Sequence, residues 1–211
     1  MRKVQALLTV WLIFHFLVAY SAVVYEIDAS PFGTANAPLP QYIKAPQEKL
    51  IVVDPSQHVF GAYSPEGKLI RWGLASAGSS WCSDINKSCE TTPGNYRVYS
   101  LGDESCISSK FPLAEAGGAP MPYCMFFNGG QALHGANEVA YANTSHGCVR
   151  LHLDDAQWLR YHFVERPQAE NDYHGTRVLI KTYNELSLNG SKRLHYYQYY
   201  NAYQQKYRQF I

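Results

Sequence analysis

For most of this chain the apolar positions come in short bursts, not in long helical runs. Leu50-Ile51-Val52-Val53 is a β-branched run closed by the polar turn Asp54-Pro55-Ser56, and it predicts a buried strand. His58 to Tyr63 predicts a second strand, and Ser64-Pro65-Glu66-Gly67 supplies residues that let the chain reverse. Lys68 to Ala77 continues as a third strand, and Gly175-Thr176-Arg177-Val178-Leu179-Ile180 reads as a buried closing strand. One stretch breaks the habit. From Leu153 to Val164, Asp154 and Asp155 come first, and Leu159, Phe163 and Val164 follow at helical spacing, which predicts a short amphipathic helix. No internal repeat is present. The pattern predicts a mainly β domain, a curled or sandwiched mixed sheet with one or two short helices, and not a parallel doubly wound one.

The ends differ from this middle. Met1-Arg2-Lys3 precedes an uncharged run from Val4 to Tyr25. Residues 1–21 therefore read as a signal peptide, with Ala19-Tyr20-Ser21 offering small residues for cleavage, or as a retained N-terminal membrane anchor. Either reading delivers the domain outside the cytoplasm, to the periplasm or cell envelope. Residues 22–48 form a leader rich in Pro and Ala, with Pro31, Pro38, Pro40 and Pro46 and no apolar periodicity. The globular domain is expected over residues 49–183. In the last segment, 184–211, Tyr196, Tyr200, Tyr203, Tyr207 and Phe210 recur at intervals of four and three, the signature of one helix face from about Ser191 onward. Lys192, Arg193, Lys206 and Arg208 make that tail basic. Its aromatic stripe is expected to dock on the domain, the rival reading being a surface for glycan strands.

Composition narrows the function classes. The chain has 211 residues, 46% of them hydrophobic and 17% charged, enough for one domain with a sizeable core. A formal net charge of +1 argues against a polyanionic partner, nucleic acid above all.

The chemistry is concentrated between Leu133 and Leu151. His134-Gly135 opens the stretch and Ser145-His146-Gly147-Cys148-Val149-Arg150 closes it. A thiol attacks only as thiolate, and a nearby imidazole can take its proton and hold a thiolate–imidazolium pair. Gly147 lets the backbone bend tightly and approach a substrate. A partial zinc site from His134, His146 and Cys148 is the competing reading, although no Glu or Asp stands out as a metalloenzyme base. His-Gly followed by Ser-His-Gly-Cys-Val-Arg resembles the signature of the L,D-transpeptidases, the YkuD-like catalytic domains of bacterial cell walls. The spacer between the two His-Gly elements is shorter than usual in that family. Thr92-Pro93-Gly94-Asn95-Tyr96 also resembles the family's Thr-Pro element, and the strands from Leu50 to Ser76-Ala77-Gly78 resemble its opening. The resemblance covers about Leu50 to Lys181.

This resemblance implies a two-step acyl transfer on peptidoglycan stem peptides without a metal or other cofactor. Cys148 is implied as the nucleophile and His134 as the proton donor and acceptor, oriented through the carbonyl of Gly135. His146 has a supporting role, and the N–H groups of Gly147 and Cys148 are expected to hold the oxyanion. Ser145 and Arg150 are expected on the substrate side, Arg150 either as a fork for a carboxylate or in a structural ion pair. The acceptor can be a second stem, a lipoprotein lysine or water, the last giving a carboxypeptidase. A non-catalytic wall-binding module is the alternative from another class.

With Cys148 free, Cys82, Cys89, Cys106 and Cys124 can pair in three ways. The short-range pairs Cys82–Cys89 and Cys106–Cys124 are preferred because they leave the active thiol alone. They would stiffen the segment between Trp81 and Met125 as a lid or rim over the site.

Overall fold

The computed structural model describes residues 33–183. The expected signal or anchor (1–21), the first part of the leader and the tail 184–211 with its helix lie outside the described residues. Nine strands form one curled, mixed sheet: β1 (Leu50–Asp54), β2 (Val59–Tyr63), β3 (Leu69–Ser76), β4 (Gly94–Arg97), β5 (Ser100–Leu101), β6 (Met125–Asn128), β7 (Gln131–Ala136), β8 (Val149–His152) and β9 (Arg177–Ile180). Their order across the sheet is β4-β9-β1-β2-β3-β8-β7-β6-β5. A helix, α1 (Leu153–Trp158), follows β8 directly and loosens into a π-turn over Leu159–Phe163. Among the described residues no helix is long and apolar enough to cross a membrane.

Two registers decide where the site falls. The meander β1-β2-β3 is antiparallel, and β1 also takes β9 in parallel register, Leu50 opposite Arg177. This half meets the other through only two pairs, Ala75 with Leu151 and Ser76 with Arg150. Beyond that narrow seam, β8 and β7 run parallel. A parallel pair cannot be closed by a tight hairpin. The chain must cross over between Ala136 and Val149, and that crossover is the loop carrying Ser145 to Cys148.

Strands β1 and β2 bury both faces, which explains why β1 is apolar without alternation. Ile51 and Val53 join the main core with Phe60, Leu133, Val149, Leu151, Leu159 and Phe163. Leu50 and Val52 face the other way, into a second cluster with Val59, Trp72 and Leu74. Leu39 of the leader covers that cluster. The leader is held there by hydrogen bonds from Trp72 Nε1 to the Gly33 carbonyl (2.8 Å) and from Tyr63 Oη to the Pro40 carbonyl (2.9 Å).

Both preferred disulfides are present, Cys82–Cys89 and Cys106–Cys124, with Cα atoms 5.9 and 6.2 Å apart. Each contributes about 2–3 kcal/mol in the chain-entropy model. The strands expected from sequence agree with β1, β2, β3 and β9 to within a residue or two at each end, as strand ends usually do. The strands from β5 to β8 were not read from the sequence, because they are short or interrupted by turns.

Candidate active site

Strand alternation sets up the site. Leu133, Val149 and Leu151 enter the main core from β7 and β8, so Ala132, His134 and Arg150 face the opposite side. In the parallel register His134 lies beside Arg150. Cys148, one residue before β8, packs on this same side with Met121, Cys124 and Ala132. A cavity of about 550 Å³ opens over these residues. His134, Ser145, His146, Cys148 and Arg150 all line it. Its remaining walls come from the Cys82–Cys89 loop and from the hairpin around Phe111, tied down by Cys106–Cys124.

His134 is buried, 6% exposed, and Nδ1 sits 2.8 Å from the Gly135 carbonyl. A carbonyl only accepts, so the proton is on Nδ1 and Nε2 is left as the basic nitrogen. Gly135 is itself held by its N–H to the Pro122 carbonyl at 2.7 Å. A Cβ there would stand 2.9 Å from Leu153 Cδ2, so a side chain at this position would displace Leu153. Burial pushes the His134 pKa down to about 4, and the Arg150 charge pushes the same way against the Gly135 bond.

Cys148 is the free cysteine, partly buried, with Sγ 3.6 Å from the Gly130 carbonyl. Burial raises its pKa, while the Ala132 backbone and the Arg150 charge oppose the rise. Thiol up and imidazole down leave both groups neutral at pH 7. The physical reason is desolvation of both charges.

The loop before Cys148 is pinned at several points. Ser145 Oγ donates to the Cys148 carbonyl at 2.5 Å and accepts the Gly147 N–H at 3.0 Å. Its hydroxyl is thus engaged with the loop's own backbone. The Gly147 N–H, expected as an oxyanion donor, is taken by Ser145, while the Cys148 N–H has no hydrogen-bond acceptor among the described residues. Gly147 has φ +118°, a region L residues avoid.

His146 is held on the cavity wall by Asp84 and Phe111. Its Nε2 lies 2.7 Å from Asp84 Oδ2, and its ring rests 4.5 Å from that of Phe111. Arg150 reaches Thr144 Oγ1 at 3.4 Å, and among the described residues no carboxylate pairs with it. Nor do His134, His146 and Cys148 converge as metal ligands. Among the described residues the set with ligand atoms within 4.8 Å is Cys82, Cys89 and His146, whose two sulfurs form the disulfide. Asp84, Phe111, Gln131 and Thr91 were not singled out from the sequence. Only Thr91 carried a signal, standing directly before Thr92-Pro93.

A model of the YkuD L,D-transpeptidase catalytic domain matches residues 48–180. Among solved structures, the chain is similar to an L,D-transpeptidase from Xylanimonas cellulosilytica at 23% identity, covering 67% of this chain and 64% of that one with a TM-score of 0.54. It is also similar to an L,D-transpeptidase (Yku) from Stackebrandtia nassauensis at 17% identity, covering 72% and 65% with a TM-score of 0.50. The chain thus spans slightly under two thirds of these structures' own length. No curated protein matches it. The family match spans most of the chain and takes in both His-Gly elements, so the protein belongs to the YkuD L,D-transpeptidase catalytic-domain family.

Proposed function

We propose that this protein is a cysteine-dependent acyltransferase acting on peptidoglycan stem peptides, an L,D-transpeptidase of the cell envelope. The observation that supports it best is the pairing of a buried, neutral His134, anchored through Nδ1, with Cys148 on the same face of an open cavity. Cys148 Sγ attacks the carbonyl of the diaminopimelate residue that precedes the terminal D-alanine. Because the resting pair is neutral, the thiol proton passes to His134 Nε2 as the C–S bond forms. The same nitrogen then gives that proton to the leaving D-alanine amine as the C–N bond breaks. An incoming amine reverses these steps on the thioester and leaves a new amide. Cys148 N–H is the loop donor open to the oxyanion, and Arg150, with no carboxylate partner, is a fork for a substrate carboxylate. Ser145 positions the loop, and His146 supports it through Asp84.

The same reading divides the chain into an export segment (1–21), a leader (22–48), the catalytic domain (49–183) and a basic aromatic tail (184–211), with the catalytic domain exported. The deciding experiment is mass spectrometry of the protein with a peptidoglycan tetrapeptide. A thioester on Cys148 with loss of D-alanine is expected, followed by a crosslinked product with an amine acceptor, a lipoprotein conjugate with a lysine acceptor, or a tripeptide with water. Release of D-alanine from a Cys148→Ala variant would overturn the assignment.

A further inference from the structure

The nucleophile loop contains a peptide unit whose orientation decides catalysis and whose own residue does little to fix it. Gly147 supplies the carbonyl and Cys148 the N–H of one peptide group. The two bonds of a trans peptide point in opposite directions. If the carbonyl is held on the buried side, the N–H faces the cavity, and if the unit flips, the oxyanion donor is lost. Glycine has no Cβ to penalise the flip.

What holds the carbonyl is Thr91. This residue is fully buried, lies outside every strand and belongs to the loop between the Cys82–Cys89 disulfide and β4. Its hydroxyl donates to the Gly147 carbonyl at 2.9 Å and accepts the Gly78 N–H at 2.9 Å. Its own N–H donates to Tyr183 Oη at 2.9 Å, and that hydroxyl donates to the Gly78 carbonyl at 3.2 Å. Thr91 and Tyr183 thus close a ring through both polar groups of Gly78, and the Thr91 hydroxyl carries that ring to the Gly147 carbonyl of the nucleophile loop. A buried hydroxyl with donor and acceptor both satisfied has a defined orientation.

We infer that Thr91 is a positioning residue for the transferase reaction, pinning the Gly147–Cys148 peptide so that the Cys148 N–H serves as the oxyanion donor, with Tyr183 holding Thr91 in place. The inference rests on the acyl-transfer reading of the site and adds a residue outside the His-Gly and Cys motifs.

Two reactions of the same sulfur separate this role from a structural one. Acylation passes through a tetrahedral oxyanion and needs the N–H, whereas alkylation by iodoacetamide is a displacement at carbon that builds none. Thr91→Val removes the hydroxyl at nearly constant volume. It should lower the rate of Cys148 acylation by about a hundredfold, the scale of one lost oxyanion-hole donor, with the loss in kcat and not KM. Alkylation should stay within about threefold of the parent, and Thr91→Ser should restore acylation. Tyr183→Phe, a milder lesion, should lower acylation by about tenfold with alkylation unchanged and serves if Thr91→Val does not fold. Normal acylation in the folded variants, or parallel loss of acylation and alkylation, overturns the inference. Running both a tetrapeptide and p-nitrophenyl acetate keeps the two readings apart. Thr91-dependent acylation by the ester with no thioester from the tetrapeptide would uphold the pinning and overturn the proposed substrate. A parent protein acylated by neither overturns the pinning as well.

Discussion

Two buried imidazoles make the stability of this domain depend on acid in a way that can be calculated. Burial holds the His152 pKa down to about 3 and that of His134 to about 4, against an ordinary value of 6.5. Their residues are 2% and 6% exposed. A histidine whose folded pKa is depressed binds its proton more readily in the unfolded chain. The unfolded state is then favoured as pH falls below 6.5, and the contribution vanishes above it. Going from pH 7 to pH 4.5, the linkage relation gives a loss of about 2.5 kcal/mol from each group. Together these are about 5 kcal/mol, a large share of the 5–15 kcal/mol typical of a domain. His58, also lowered by burial, adds in the same direction.

The clean perturbation is His152→Gln, at the end of β8 and away from the cavity lining. Glutamine does not titrate. Urea unfolding of parent and variant at pH 7 and pH 4.5, with disulfides intact, gives two pH differences, and all other titrating groups cancel between them. The variant should lose about 2.5 kcal/mol less than the parent over that interval, whatever its stability at pH 7. Equal losses in the two proteins would refute the buried, neutral assignment of His152. They would also weaken the same argument for His134.

Further outcomes follow from the site. Cys148→Ala should abolish turnover with an unchanged melting temperature, since the exchange of thiol for methyl is small; D-alanine release and thermal unfolding check this. His134→Ala should slow acylation far more than His146→Ala, because only His134 is cast as the proton carrier; single-turnover rates with tetrapeptide would show a larger loss at His146 if the roles are reversed. Iodoacetamide should modify one of the five cysteines in the native protein. Its rate should still be climbing at pH 9, because the Cys148 thiol is raised by burial, whereas a plateau near pH 6 would reveal a preformed thiolate. Gly147→Ala should cost about 1–2 kcal/mol, the penalty of a side chain at positive φ, and acylation should fall with it.

The legibility of this protein from sequence followed the physics of each signal. Strand β1 was plain because both its faces are buried, and β9 because it lies beside β1 with Val178 and Ile180 buried, and both read as unbroken Val, Ile and Leu runs. Strands β6 and β7 were hidden because both are short and Gly129 and Gly130 separate them by a tight turn. Cys148 and His134 stood out because a thiol and an imidazole each beside a glycine form a specific pattern, and the fold brings both to one cavity. Their protonation was not visible. It depends on how deeply two strands and two disulfide-tied loops enclose them, and on Arg150 standing beside His134 in a register known only once the strands are paired. The hydrogen bonding of the loop N–H groups was hidden for a related reason. Gly147 and Cys148 both offer an N–H in the sequence, but Ser145, two residues back, takes the first of them. Thr91 lies 56 positions from the carbonyl it holds, and its contact exists only because β3 and β8 meet at the seam. The motif thus names the candidate groups, and the crossover loop imposed by the parallel β7–β8 pair, with its distant anchors, decides how they are placed along the cavity.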